Sequence, residues 1–179
     1  MKILGIAGSL RSASYNRRLL QLAAENLPDG VELAVWEGLR DLPAFDEDTE
    51  ATPSLAVAGF RAAVADADAV VIATPEYNGS IPGALKNALD WGSRPREAAA
   101  FRGKPVAVIG ASPGSFGGVW AQAETRKVLG LMGSRVVGAE LSLGKAHERL
   151  VEPDAELVEQ LRAVIDLLVD EAAARAEAA

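Results

Sequence analysis

A polar loop with one aromatic ring follows directly on a strand-like apolar run. The run is Ala69 to Ala73, and the loop after it extends from Thr74 to Pro82. The loop has few side chains that act as acid, base or nucleophile, but it has many backbone donors and acceptors and one ring, Tyr77. Such a surface suits a flat heteroaromatic ligand better than hydrolytic chemistry. The residues that we expect to line this ligand are Pro75, Glu76, Tyr77, Asn78, Gly79 and Ser80.

Another polar loop, residues 8–16, precedes a helical pattern near the N-terminus. In chain order it is the first loop, and the loop at residues 74–82 is the second. The first backbone N–H groups of such a helix and the positive end of its dipole point back at the loop, which favours an anion there. Neither a Walker A loop nor a G-x-G-x-x-G motif is present, so a monophosphate is favoured over a pyrophosphate. The predicted phosphate ligands are Ser9, Arg11, Ser14 and Asn16, with Ser12 beside them. The alternative is that Ser14 or Asn16 only caps the helix while Arg11 is solvated.

A third loop, residues 111–118, is rich in glycine and serine and again lies between a strand and a helix. We expect Ser112, Gly114 and Gly117 to border the same ligand, although a glycine-rich turn is weak evidence by itself. Ser80 is not a convincing nucleophile, because the only histidine, His147, is distant in sequence and forms no evident triad. We expect His147 to be a solvated loop residue.

Strand-like runs alternate with helical patterns along the whole chain, which indicates parallel βαβ units in an α/β fold. The predicted strands are Lys2–Ala7, Glu32–Trp36, Ala69–Ala73, Pro105–Gly110 and Arg135–Glu140, and the predicted helices are 16–26, 54–65, 82–91, 119–131 and 154–174. A three-layer fold with strand order 2-1-3-4-5 has its topological switch point between the first and third strands. The three polar loops follow the first, third and fourth strands, which surround that point, whereas the loop after the second strand is acidic and apolar and the turn after the fifth shows no special feature.

The composition restricts the partners and the chemistry. The 179 residues predict one domain, 1–179, and the formal charge of −7 argues against nucleic acid as a partner. The absence of cysteine and the single histidine exclude disulfides, a thiol nucleophile and a histidine-based metal cluster. Because no apolar stretch is long enough to cross a membrane and no signal-peptide pattern is present, we expect a cytoplasmic protein without membrane contact.

These motifs resemble those of the NADPH-dependent FMN reductases of the flavodoxin-like superfold, which include quinone, azo-dye and chromate reductases. The first loop is similar to the family's G-S-x-R-x-x-S-x-N motif, and residues 75–91 are similar to P-E-Y-N-x-S-x-P-G-x-L-K-N-x-x-D-W. Residues 112–122 are similar to S-x-G-x-x-G-G-x-x-A-Q, and the likeness also includes 42–48 and 103–105. One departure is Thr125, where an apolar residue is expected, and it affects only local helix packing.

The resemblance implies a flavodoxin-like domain that binds FMN, with Ser9, Arg11, Ser14 and Asn16 on the phosphate and the two later loops around the isoalloxazine ring. It implies NADPH or NADH as co-substrate, hydride transfer at the flavin N5 without a catalytic protein residue, and a small acceptor such as free flavin, a quinone, an azo compound or a metal oxyanion. It also implies a homodimer or homotetramer, which we expect to bury Leu42, Phe45 and the helix end at Trp91. The alternatives are a flavodoxin-type electron carrier without nicotinamide turnover, a hydrolase or transferase, for which no nucleophile and base pair is evident, and a cofactor-free interaction protein.

Overall fold

The computed structural model describes residues 1–178, and its centre is a five-stranded parallel sheet. The strands are β1 (Lys2–Ala7), β2 (Glu32–Val35), β3 (Ala69–Ala73), β4 (Pro105–Ala111) and β5 (Arg135–Leu143). Their order is β2-β1-β3-β4-β5, which confirms the prediction from sequence. In the register of the central strands Ala73 lies opposite Ala7 on one side and opposite Ile109 on the other. β1 and β3 therefore end at one level and β4 ends two residues beyond it, and the loops that follow the three strands meet there.

Helices cover both faces of the sheet and give the predicted three layers. The helices are α1 (Tyr15–Ala24), α2 (Leu55–Asp66), α3 (Gly83–Gly92), α4 (Val119–Leu131), α5 (Ala146–Arg149) and α6 (Ala155–Glu177), with short 3-10 turns at Gly38–Asp41, Glu47–Thr49 and Arg96–Ala98. One apolar cluster lies between the sheet and α1, α5 and α6, and a second lies between the sheet and α2, α3 and α4. All residues of β3 and β4 are buried, because parallel strands covered on both faces contact no water.

Local side-chain caps start three of the helices. The side chains of Ser14, Ser54 and Asp154 accept hydrogen bonds from the backbone N–H three residues later, at the beginning of α1, α2 and α6. Each cap satisfies one of the N–H groups that a helix leaves free at its first turn. These caps place the helix starts within a residue or two of their predicted positions.

Three expectations about the strands were wrong in their bounds. Trp36 lies outside β2, β4 continues one residue past Gly110 to Ala111, and β5 continues past Glu140 to Leu143. The extra residues of β5 pair with the end of β4, where Gly110 lies opposite Ser142. β5 is therefore long enough to reach the third loop.

The residues that we expected at an exposed subunit contact are instead packed within the chain. Trp91 and Leu42 are buried, and Phe45 packs edge-on against Trp91 with ring centroids 4.9 Å apart. The side chain of Asn87 accepts from the Phe45 N–H at 2.8 Å and donates to the Pro43 carbonyl at 2.8 Å. The helix α3 therefore holds the acidic loop after β2, residues 42–48, in place. The argument for an oligomer from these side chains was therefore wrong.

No helix within residues 1–178 is both long enough and apolar enough to cross a membrane.

Candidate functional site

A cleft of about 280 Å³ opens at the carboxyl ends of β1, β3 and β4. This is the topological switch point of the sheet, where doubly wound folds bind their ligands. Eight of the thirteen predicted site residues line it, namely Ser9, Arg11, Ser14, Asn16, Pro75, Glu76, Tyr77 and Ser112. Tyr15, Ala111 and Pro113 also line the cleft and were missed from sequence, where nothing separates them from ordinary neighbours of the motifs.

The first loop presents the N-terminus of α1 to the cleft. Ser14 caps this helix through the Arg17 N–H, while the backbone N–H groups of Tyr15 and Asn16 have no hydrogen-bond partner within residues 1–178. The guanidinium of Arg11 lies 5.0 Å from the ring centroid of Tyr15 and donates to the Ala13 carbonyl at 2.9 Å. Free helix N–H groups beside an exposed cation form an arrangement that is favourable for an anion.

The side chain of Asn16 ties α1 to the end of β4. Its amide nitrogen donates to the Ala111 carbonyl at 2.9 Å, and its oxygen accepts from the Ala111 N–H at 2.9 Å. Asn16 is buried. Because β3 ends at Ala73, Ala111 has no partner in β3, and the Asn16 side chain makes hydrogen bonds to its backbone instead. One donor and the acceptor of this amide are thus used within the protein.

The second loop forms a tight turn from Tyr77 to Ser80. The two residues exchange backbone hydrogen bonds at 3.2 and 3.1 Å, and Asn78 and Gly79 at the tip have φ of 53° and 73°. Two consecutive positive φ angles favour an Asn-Gly pair, which is the sequence found here. The Tyr77 ring is half exposed, and its hydroxyl lies 3.4 Å from the Ser9 hydroxyl across the cleft. The tip itself does not line the cleft but lies beside Tyr77 at its rim.

The carboxylate of Glu76 caps α4. It accepts from the backbone N–H groups of Trp120 at 3.0 Å and Ala121 at 3.2 Å, where the N-cap residue of the helix, Gly118, has no side chain to do so. Ser80 lies just before α3 but does not cap it. Its hydroxyl donates instead to Glu124 of α4 at 2.5 Å, and α3 has no side-chain cap. Glu124 was missed from sequence because this contact spans 44 residues.

The end of β5 supports the third loop. A Cβ on Gly117 would lie 2.3 Å from the Ser142 carbonyl carbon, and its φ is +60°, so only glycine fits. Gln122 of α4 donates to the Gly117 carbonyl at 3.1 Å and to the Ser142 hydroxyl at 2.8 Å. Gly114 lies farther along the loop, where its carbonyl accepts from the Lys145 N–H at 2.9 Å. Gly114 and Gly117 therefore shape the loop that carries Ser112 and do not line the cleft themselves.

Two further residues singled out from sequence lie in α4 and α5. The hydroxyl of Thr125 is buried but donates to the Ala121 carbonyl at 2.7 Å, so the departure from the family pattern leaves no unpaired group. His147 lies in α5 and not in a loop as we expected, but its side chain is about half exposed, with Nε2 3.4 Å from Glu148. Within residues 1–178 no group of three or more His, Cys, Asp or Glu side chains could hold a metal ion.

The comparisons with known proteins agree with this geometry. The sequence profile of the NADPH-dependent FMN reductase family matches residues 1–148. An NAD(P)H-dependent FMN reductase of Pseudomonas aeruginosa is 47% identical over 130 residues, which are 72% of this chain and 69% of that protein. A quinone reductase of Pseudomonas putida is 40% identical over 167 residues, 92% of this chain and 89% of that protein.

Among solved structures, the flavoenzyme NAD(P)H:(acceptor) oxidoreductase FerB from Paracoccus denitrificans superimposes with a TM-score of 0.86 and 31% sequence identity. The match covers 96% of each chain. The sheet order, the three loops and these relatives lead to one conclusion: the chain belongs to the NADPH-dependent FMN reductase family of flavodoxin-like oxidoreductases.

Proposed function

We propose that this chain binds FMN in the cleft and transfers electrons from a reduced nicotinamide to a small acceptor. The observation that carries the proposal is the convergence of three polar loops on one cleft at the switch point of a flavodoxin-like sheet. Relatives with 47% and 40% identity named as an FMN reductase and a quinone reductase support it.

The first loop suits the phosphate of FMN. The free N–H groups of Tyr15 and Asn16 carry the positive end of the α1 dipole, and the Ser9 hydroxyl is within the same cleft. Arg11 has its guanidinium on the surface, where it is free to exchange its contact with the Ala13 carbonyl for a phosphate oxygen. Ser14 and Asn16 hold the helix start in position, and Asn16 retains one amide hydrogen for a ligand.

The second and third loops suit the ring of FMN. Tyr77 presents a ring face, and the backbone N–H groups of Asn78 and Gly79 have no partner within residues 1–178, so they are available to the polar edge of the ring. Pro75 and Glu76 of the second loop and Ser112 of the third also line the cleft. When bound, FMN supplies the redox chemistry, taking a hydride from the nicotinamide at N5 and passing electrons to the acceptor.

The protein residues bind and orient the flavin, and they supply no acid or base to the transfer. We propose NADPH as the electron donor, with NADH as the alternative, and a quinone, free flavin, azo compound or metal oxyanion as the acceptor. A planar quinone is favoured because relatives at 40% and 34% identity are named as a quinone reductase and a 2-hydroxy-1,4-benzoquinone reductase.

We further propose that two copies associate through α4, as a homodimer or as a tetramer of two dimers. Phe116 and Trp120 are 64% and 54% exposed, their ring centroids lie 5.1 Å apart, and Leu131 at the other end of α4 is 81% exposed. A monomer rarely leaves several large apolar side chains exposed on one helix and its approach. The backbone N–H of Trp120 donates to Glu76, and Glu76 lines the cleft, so this surface is continuous with the cleft. Light scattering of the holoprotein should give two or four chain masses, and a single-chain mass with full NADPH oxidation would contradict the association.

The function is tested with the purified, desalted protein loaded with FMN. NADPH oxidation that accelerates when a quinone is added supports the proposed reaction. A protein that binds FMN but does not oxidise NADPH or NADH would instead be a flavodoxin-type electron carrier. A protein that binds no FMN would be neither.

A further inference from the structure

The second loop and α4 each contribute a carboxylate that accepts hydrogen bonds from the other element. Glu76, in the loop, caps the first turn of α4 through the Trp120 and Ala121 N–H groups. Glu124, on α4, accepts in return from the Ser80 hydroxyl at 2.5 Å and from the Ile81 N–H at 3.2 Å. We call these four contacts the carboxylate clasp.

Glu124 accepts hydrogen bonds from the two residues that come just before the N-cap of α3. The N-cap residue of α3 is Pro82, which offers no side-chain cap, and Ile81 precedes it. The hydrogen bond from Ser80, and next the one from the Ile81 N–H, lower the pKa of Glu124, with smaller contributions from Lys127 and Lys86 and an opposing one from burial. The ionised carboxylate is therefore the form that these contacts favour.

The clasp holds the turn that borders the proposed flavin ring. Ser80 is paired through its backbone with Tyr77, so a fixed Ser80 also fixes Asn78 and Gly79 between them. On the other side, the only hydrogen bond of the Tyr77 hydroxyl within residues 1–178 is with Ser9. Without Glu124, the neighbours of the turn would still be anchored, Glu76 on α4 and the buried Ile81 side chain in the core, but the Ser80 side chain would lose its hydrogen bond to α4.

We propose that Glu124 is a positioning residue that holds the Tyr77–Ser80 turn in the orientation that binds the flavin ring. It acts through Ser80 and Ile81 and does not touch the flavin. The proposal rests on the proposed FMN site, and it assigns to α4 a part in ring binding in addition to its part in the fold.

Riboflavin is the appropriate probe, because it has the ring of FMN but no phosphate. Its affinity is measured by fluorescence quenching for the wild type, Glu124→Ala and Glu124→Gln, with Glu159→Gln on the exposed face of α6 as the matched control. Glu124→Ala should weaken riboflavin binding about five- to tenfold, since it removes two charge-assisted hydrogen bonds at an exposed site. Glu124→Gln should remain within about twofold of the wild type, because the Ser80 hydroxyl and the Ile81 N–H both donate to one oxygen of Glu124, and an amide oxygen in its place accepts from both.

Two readouts separate positioning from general stability. The melting temperature of the apoprotein should be the same for all four proteins, because Glu124 is exposed. Amide hydrogen exchange of the apoprotein should be faster in Glu124→Ala only within residues 77–81. Equal riboflavin affinity of Glu124→Ala and wild type, or unchanged exchange in residues 77–81, would overturn the proposal. A wild type that binds neither FMN nor riboflavin would refute the proposed function instead, and the exchange measurement would still decide whether the clasp holds the turn.

Discussion

Replacing Asn16 by alanine should destabilise the protein itself and not merely weaken a ligand contact. The Asn16 amide pairs with both the N–H and the carbonyl of Ala111 at 2.9 Å, in a buried position. Asn16→Ala therefore leaves two buried backbone groups without a partner, and each unpaired group costs about 1–3 kcal/mol.

The free energy of unfolding should consequently fall by about 3 kcal/mol, which for a chain of this length lowers the melting temperature by about 6–12 °C. The assay is thermal unfolding of the FMN-free protein, so that flavin binding makes no contribution. Asn26→Ala is the control, because the Asn26 side chain, just past the end of α1, donates to the Leu22 carbonyl and accepts only a long, exposed hydrogen bond from Arg162 at 3.3 Å. That control should lose less than about 1 kcal/mol.

The opposite result would refute this account of Asn16. If the Asn16→Ala apoprotein melted within about 2 °C of the wild type while its FMN affinity fell a hundredfold, Asn16 would act on the phosphate and not on Ala111.

Three further predictions concern the loops around the cleft. Arg11→Ala should weaken FMN binding by about 1.5–3 kcal/mol, or roughly ten- to a hundredfold, and leave riboflavin binding unchanged, because only FMN carries the phosphate; equal losses for both ligands would remove Arg11 from the phosphate site. Gly117→Ala should displace the third loop and lower both the melting temperature and FMN affinity, because its Cβ would lie 2.3 Å from Ser142. The control is Gly130→Ala in α4, where a Cβ meets nothing within 4 Å, and it should stabilise the protein by about 0.5–1 kcal/mol. A Gly117→Ala protein with normal stability would contradict the close packing of this loop. His147→Ala should leave NADPH oxidation within a few-fold of the wild type, since His147 is half exposed, and a loss of flavin reduction would give it a role that the geometry does not indicate.

The fold was predictable because its signals are local. Buried runs such as Ala69–Ala73 and capping residues such as Ser14 and Asp154 act within a few neighbours, so the strands and helix starts could be deduced from the sequence. The strand order followed from the alternation of strands and helices and from the strands that the polar loops follow. The polar loops could be assigned to one edge of the sheet for the same reason, since parallel strands place their carboxyl ends together.

The partners of individual side chains were not predictable, because they lie far away along the chain. Asn16 has the polarity of a phosphate ligand, but it bonds Ala111, 95 residues away. Ser80 has the position of a helix cap, but its hydroxyl donates to Glu124. Phe45 packs against Trp91 and donates its backbone N–H to the Asn87 side chain. Composition and spacing show which groups are available, whereas only the packed structure shows which of them are already paired.

Anaerobic titration of the purified protein with NADPH tests the central claim most directly. After incubation with FMN and desalting, the protein is expected to retain about one flavin per chain, and NADPH should bleach its visible absorbance before any acceptor is added. Addition of a quinone should then restore the oxidised flavin spectrum. A desalted protein without flavin absorbance, or a bound flavin that neither NADPH nor NADH reduces, would contradict the proposed function.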